Sequence, residues 1–237
     1  MKIIQLSDCH LPVPGLGSES REPWQQLEDA LSRAAKLAPD AIVVTGDLVD
    51  KGAAVQDQAA GLLARAQQDA GCPVITIPGN HDPVGSIDER FNTRRLATGP
   101  RPANTVHEAC SVRLVGLDTG GFKLPAGQLD EQQLHWLEGL LQVPAPGGTV
   151  LLLHHPPVDA PSGLMRGRGL QQPGQLARVL HGSDVRALLC GHYHEAGSAH
   201  FAGRPVHLAP ALFEGFSVLE INDARLLAHH AAARANA

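Results

Sequence analysis

The chain has 237 residues, 43% hydrophobic and 18% charged, with 19 Lys+Arg against 24 Asp+Glu and a formal net charge of −5. That balance excludes a disordered chain and argues against a dedicated binder of nucleic-acid polymers or anionic membranes. Cys9, Cys72, Cys110 and Cys190 form no CxxC pair, which excludes a disulfide framework and a zinc ribbon, while 13 His outnumber five Phe, two Trp and one Tyr.

Apolar β-branched runs alternate with helical patterns. Ile3–Leu6 reads as a strand too short to be a signal peptide, and no stretch approaches the ~18 apolar residues of a spanning helix. A soluble, reduced, cytoplasmic protein is expected. Residues 22–38 place Trp24, Leu27, Leu31, Ala34 and Leu37 at helical spacing. Ala41–Thr45 is a buried strand, residues 54–70 a helix closed by Gly71, and Val74–Ile77 a third strand. This βαβαβ opening predicts parallel strands with right-handed crossovers. Residues 104–117 read as two short antiparallel strands, and 127–142 as a helix turning Leu129, Leu134, Leu137 and Leu141 inward. Val150–Leu153 and Val185–Cys190 are strands on either side of a helix at 173–181. Residues 198–230 resemble a β-meander, residues 1–230 a single domain, and Ala231–Ala237 a flexible tail. The loop at 156–172 is long and rich in Pro and Gly.

Each buried strand runs into chemistry-bearing residues: Asp8-Cys9-His10, Gly46-Asp47 with Asp50, Gly79-Asn80-His81-Asp82, His154-His155, and Gly191-His192-Tyr193-His194. In a parallel α/β sheet those carboxyl ends share one edge, so the groups should converge. Asp, Asn and His without thiolate suit Mn, Fe, Zn or Co. Asp8 and His10 are two apart, as are His192 and His194, so on extended segments each pair points to one side. The candidate ligands Asp8, His10, Asp47, Asn80, His154, His192 and His194 are too many for one tetrahedral ion. They suit two ions sharing a bridging carboxylate, the arrangement that clamps attacking and leaving oxygens in phosphoryl chemistry.

The ordered series DxH, GDxxD, GNHD, HH and GHxH, spanning residues 8 to 194, resembles the calcineurin-like metallophosphoesterase superfamily. GNHD and HHPP are most similar to its bacterial branch of class III cyclic-nucleotide and glycerophosphodiester phosphodiesterases. The resemblance implies a four-layer α/β/β/α sandwich with two mixed β-sheets and the metal site at the carboxyl ends of the strands. It also implies that Asp8, His10 and His194 hold one metal, Asn80, His154 and His192 the other, and that Asp47 bridges them. Two divalent ions, Mn or Fe first and Zn or Co as alternatives, would share a hydroxide that attacks phosphorus. His81 would face the phosphate and assist the leaving group, with Asp50 orienting it. The implied function is hydrolysis of a small phosphodiester, foremost a cyclic nucleotide of the 3′,5′-cyclic AMP type. A broad-specificity phosphodiesterase or phosphomonoesterase is the alternative, and a non-catalytic scaffold would predict missing ligands, of which there are none. A small-molecule phosphoester is the expected partner, with a homodimer in line with that branch.

Several residues carry two readings. Asn80 and His81 would also touch substrate. His155 either approaches substrate or only hydrogen-bonds behind the ligands. One of Arg166 and Arg168, foremost Arg166, would contact a substrate phosphate or sugar, against solvated loop charges for both. Tyr193, Cys9 and Cys190 read as packing residues, Asp82 as a turn or supporting group, and Gly46, Gly79 and Gly191 as positions set by backbone geometry. His107, His135, His181, His200, His207, His229 and His230 have no partner spacing. Phe122, Phe213 and Phe216 are the aromatics that could stack a base, with burial as the competing reading for each.

Overall fold

The chain opens with β1 (Lys2–Leu6), α1 (Glu22–Lys36), β2 (Ala41–Thr45), α2 (Ala53–Ala70) and β3 (Val74–Ile77). There follow β4 (Ala97–Thr98), β5 (Thr105–Ala109), β6 (Val112–Leu117), α3 (Glu131–Leu141), β7 (Thr149–Leu153), α4 (Pro173–Leu180) and β8 (Val185–Cys190). It closes with β9 (Gly197–Phe201), β10 (Arg204–Leu208), β11 (Gly215–Ile221) and β12 (Leu226–Ala232). This is a computed structural model, and it describes residues 1–13, 22–50, 53–83, 97–100, 103–120, 124–222 and 226–232. Phe122 lies outside them.

One sheet has the order β12-β11-β1-β2-β3 and the other β4-β5-β6-β7-β8-β10-β9. β1, β2 and β3 are parallel, as are β6, β7 and β8, while the hairpins at the margins run antiparallel, so both sheets are mixed. Ile3, Val43 and Ile75 of the first sheet pack against Leu114, Val150, Leu152 and Leu189 of the second. The opposite faces are covered by α1 and α2 on one side and by α3 and α4 on the other. Four layers result because strands apolar on both faces must bury both. Each fully buried Leu or Ile contributes about 1.5–3 kcal/mol of transfer free energy.

Local chemistry sets the helix ends. In α1, Trp24, Leu27, Leu31 and Ala34 are buried, and the Trp24 indole N–H donates to the Pro12 carbonyl at 3.0 Å. Leu37 is exposed, because the helix stops at Lys36 and Ala38 turns to φ 48°. Gly71 follows α2 at φ 67°, the left-handed position that favours glycine. α3 begins at Glu131 rather than 127, because Asp130 caps it and forms a capping box with Gln133. Leu137 and Leu141 are buried there, with Leu129 and Leu134 partly so.

The C-terminal meander divides into two hairpins. β9 and β10 join the second sheet, where β10 pairs with β8, whereas β11 and β12 join the first, where β11 pairs with β1. Alternating apolarity specifies a face and not a partner, so that split is invisible in sequence. Ala231 and Ala232, counted above with the tail, pair with Phe216 and Gly215 in β12, and residues 233–237 lie outside the described residues.

Candidate metal centre

The carboxyl ends of β1, β2, β3, β7 and β8 meet where the two sheets face each other. Fully buried Gln5 ties the sheets together beneath them, its Nε2 donating to Thr45 Oγ1 and to the Cys190 carbonyl, each at 3.0 Å. The loops are then stitched by backbone bonds: Asp8 N to Gly46 O (3.0 Å), His10 N to Asp47 O (2.9 Å) and Gly191 N to His154 O (3.1 Å). The His192 amide donates to both oxygens of Asp8, at 3.2 and 3.0 Å.

Convergence is not achieved by extended backbone. Asp8, His10, Asp47, His192 and His194 have φ of 52°, 44°, 48°, 71° and 60°. These are left-handed conformations that disfavour non-glycine residues by about 1–2 kcal/mol each. Alternate residues still aim inward, but by tight turning, and five such residues at one place mark a functional constraint. Tyr193, between two of them, is buried and its hydroxyl donates to the Val158 carbonyl at 2.8 Å, a packing role.

Three glycines are set by space. A side chain at Gly46 would strike His154, at Gly79 the Asp47 carboxylate, and at Gly191 the Ser7 hydroxyl. Only Gly46, at φ 94°, also needs the left-handed region.

Donor atoms form overlapping groups. Asp8, His10 and His194 offer one set; Asp8, Asp47 and His154 another; His10, Asp47 and His81 a third; and His154, His155 and His192 a fourth, with donors in each group within 4.8 Å of one another. Asp47 Oδ2 stands 3.8 Å from His10 Nε2 and 3.2 Å from His154 Nε2, so its carboxylate is shared between two of the donor groups. His194 Nε2 is 3.3 Å from Asp8 Oδ1 and 3.2 Å from His10 Nε2, and His192 Nδ1 is 3.2 Å from His154 Nε2. The His154 Nδ1–H donates to the Thr45 carbonyl at 2.8 Å, which leaves Nε2 as the donor toward a metal. Asn80 Oδ1 is buried without a protein hydrogen bond. A cation would satisfy that oxygen, and the oxygen/nitrogen donor set fits two divalent ions.

Electrostatics agree. Burial pushes the Asp47 carboxyl up, but the adjacent His154 imidazolium and the His81 amide outweigh it and hold it well below the usual carboxylate range. Burial depresses His154, yet Asp47 beside it carries it to about 9. Burial lowers His192 to about 4 and also lowers His10. The carboxylates therefore hold a proton on His154 that a bound cation would replace.

The supporting residues separate cleanly. The Asp82 carboxylate accepts from the amides of Gly79 (2.8 Å), Val49 (3.0 Å) and Leu48 (3.3 Å), bracing two ligand loops. Burial and the nearby Asp47 raise it to about 6. His155 is fully buried, with Nδ1 2.9 Å from Thr119 Oγ1 and its ring 4.4 Å from that of His192, so no surface of it faces a substrate. His81 and Asp50 are exposed together, with Nδ1 3.2 Å from Oδ1. Arg166 and Arg168 have exposed side chains on the 156–172 loop, and the Arg168 backbone hydrogen-bonds to His192. Cys9 and Cys190 are buried among apolar side chains and burial raises both thiols, which keeps them protonated and unsuited as ligands. Sequence reasoning missed Gln5, Thr45 and Thr119. The only signal for Gln5 was a long polar side chain inside an otherwise buried strand.

The family model for calcineurin-like phosphoesterases matches residues 1–196. The chain belongs to the calcineurin-like phosphoesterase family. That places it among the phosphoric ester hydrolases. It is 38% identical over 216 residues to a probable cyclic nucleotide phosphodiesterase of Rhodococcus erythropolis, covering 87% of this chain and 69% of that protein. It is 34% identical over 222 residues to a cAMP/cGMP dual specificity phosphodiesterase of Mycobacterium tuberculosis, covering 88% of this chain and 66% of that one. The chain thus spans about two thirds of these relatives. A dimetal phosphatase from Danio rerio superposes with a TM-score of 0.74 at 15% identity, over 99% of this chain and 96% of that one, and shares the fold.

Proposed function

We propose that this protein is a dinuclear-metal phosphodiesterase that hydrolyses a cyclic nucleotide of the 3′,5′-cyclic AMP type. The observation that carries the reading is the pairing of a complete Asp/Asn/His donor set with His81 beside Asp50 at its open rim. The cyclic-nucleotide phosphodiesterase activity for which the two relatives are named supplies the substrate class.

Asp8, His10 and His194 would hold one ion, Asn80, His154 and His192 the other, and Asp47 both. Mn or Fe is the first choice, with Zn or Co compatible with the same donors. Bound there, such ions supply Lewis-acid polarisation of a phosphoryl oxygen and of water.

The rest is work for the protein's own groups. The His81 amide donates to Asp47 Oδ1 at 2.8 Å, which fixes the His81 backbone against the bridging carboxylate. With Nδ1 engaged by Asp50, Nε2 is the nitrogen left for a substrate oxygen. A protonated His81 can pass its proton to the departing ribose oxygen, a contribution of about 10²–10⁴-fold. Asn80 lies next to His81 and would fix the phosphate by its amide N–H groups while its oxygen serves a metal. Arg166 would meet the sugar or phosphate from the loop. No helix of the described residues is long and apolar enough to cross a membrane. The free cysteines fit the cytoplasmic location included in this proposal.

The test is a panel on Mn- or Fe-loaded protein: 3′,5′-cyclic AMP, 2′,3′-cyclic AMP, a glycerophosphodiester and p-nitrophenyl phosphate. The highest kcat/KM is expected on 3′,5′-cyclic AMP. A tenfold or greater preference for the monoester or the glycerophosphodiester overturns the substrate assignment. Hydrolysis that survives Asn80→Ala and His81→Ala overturns the site.

A further inference from the structure

Phe213 is the only exposed Phe, Trp or Tyr among the described residues, 59% accessible, whereas Trp24, Tyr193 and Phe216 are buried and Trp136 and Phe201 partly so. In a chain so poor in aromatics, an exposed phenyl ring forgoes a burial that its neighbours achieve.

Its exposure is built in. Phe213 sits in the turn from β10 to β11. Leu212 before it is buried in the core beneath α1 and α2, next to Phe216. The amides of Glu214 and Gly215 fold back onto the Ala211 carbonyl at 2.9 and 3.4 Å, and Gly215 N also reaches Leu212 O at 3.0 Å. Gly215, at φ 141°, leads directly into β11, and a side chain there would strike the Ala231 carbonyl. With Leu212 pinned inward and the turn closed on both sides, Phe213 is held outward.

The same turn is anchored to the wall of the metal centre. The Ala211 amide donates to the His194 carbonyl at 3.4 Å, and the Ala209 amide to the Cys190 carbonyl at 2.8 Å. Chain geometry then keeps the Phe213 Cα within roughly 13 Å of the His194 Cα. The His194 ring is itself 41% exposed, so this side of the centre is open. Among the described residues, the other strongly exposed apolar group on a loop beside the His192–His194 turn is Leu164, which is aliphatic and offers no π face.

We infer that Phe213 is the platform on which the nucleobase of the substrate stacks while the phosphate occupies the metal centre. This deepens the cyclic-nucleotide reading and rests on it for the location of the phosphate. An aromatic face takes any base, because every base has a π surface, so it confers preference for nucleotides over base-free phosphoesters and not for one base. One such stack changes affinity by roughly tenfold.

The test is calorimetric binding of AMP and of ribose 5-phosphate, which differ by the base, to Mn-loaded wild type, Phe213→Ala and Phe213→Trp. The wild type should bind AMP roughly tenfold more tightly than ribose 5-phosphate. Phe213→Ala should abolish that ratio by weakening AMP alone, and Phe213→Trp should keep it, with indole emission quenched by AMP and not by ribose 5-phosphate. A wild type that does not prefer AMP, or a ratio unmoved in Phe213→Ala, overturns the platform. If the ratio collapses as expected while the wild type fails to hydrolyse 3′,5′-cyclic AMP, the platform stands and the cyclic-nucleotide reading falls. Hydrolysis with an unmoved ratio leaves that reading and removes the platform.

Discussion

The His81 Nδ1 lies 3.2 Å from the Asp50 Oδ1, across 31 residues of sequence, while the His81 amide donates to the Asp47 carboxylate at 2.8 Å. The His81–Asp50 pair is 39% and 49% exposed, so as an ion pair it contributes no more than about 1 kcal/mol to stability. Its value is orientation. His81→Ala should lower kcat by about 10²–10⁴-fold. Asp50→Asn should lower it by about tenfold, since a neighbouring amide can still hold the ring. Metal content, measured by mass spectrometry, should stay at the wild-type level in both. Equal losses from the two variants would show that Asp50 does more than orient.

Removing metals should destabilise the fold. Two buried carboxylates and five left-handed residues converge on one point, and a cation offsets part of that cost. At a metal concentration near 100 Kd, one site adds about 2.7 kcal/mol. For a chain of this size that corresponds to a rise in Tm of about 5–10 °C. Calorimetry of chelated and Mn-saturated protein measures it, and an unchanged Tm would contradict the fit of the donor set to cations.

Thr119→Val should weaken the second ion and spare the first. The Thr119 hydroxyl holds His155, whose ring stands 4.4 Å from His192 and 4.8 Å from His154. Loss of a supporting partner of this kind typically costs about 10–100-fold in metal affinity. A Mn²⁺ titration followed by electron paramagnetic resonance should resolve two unequal sites in the variant.

Gly79→Ala should be far more damaging than its size suggests. The added methyl would collide with the Asp47 carboxylate and crowd the Asp47 amide. The expected cost is about 2 kcal/mol or more, with loss of metal, whereas Gly61→Ala on α2, where nothing lies within 4 Å, should be neutral or stabilising. Paired denaturant titrations compare the two.

His207 predicts an acid limb in stability away from the metals. Burial, with His230 nearby, lowers it from 6.5 to about 4, and Nε2 is bonded to Ser217 Oγ at 2.8 Å. Between pH 6.5 and 4 the unfolded chain binds this proton and the folded chain does not. The contribution is therefore complete above pH 6.5 and is lost as pH falls toward 4, at most about 3 kcal/mol. His207→Gln keeps a polar partner for Ser217 and cannot titrate. Its Tm should fall less than the wild type's between pH 7 and pH 5, and parallel falls would assign the acid limb elsewhere.

Much of this molecule is written locally. β2, β3 and β8 are apolar runs bounded by Pro, Gly, Asp or Asn, so their limits are legible residue by residue. α1 and α2 follow from spacing, and Gly71 marks a stop. What could not be read is pairing at a distance. Nothing in 198–230 says that β10 joins β8 while β11 joins β1, because a period of two names a face and no neighbour. The left-handed turns at Asp8, His10, Asp47, His192 and His194 were hidden for a related reason: tertiary bonds such as His192 N to Asp8 enforce conformations that local propensity disfavours.

By itself, the sequence determined the chemistry: which donors exist, that no thiolate need join them, and that each follows a strand whose carboxyl end must reach a common edge. Tertiary structure alone decided which donors face one another. His10 and His194 lie 184 residues apart and their Nε2 atoms stand 3.2 Å apart. It also decided that His155 is sealed behind His154 and His192 while Phe213 stands in solvent. The physical reason is the same in each case. Side-chain type is a property of one residue, whereas burial, orientation and proximity arise only when two sheets pack and every buried polar group must find its partner.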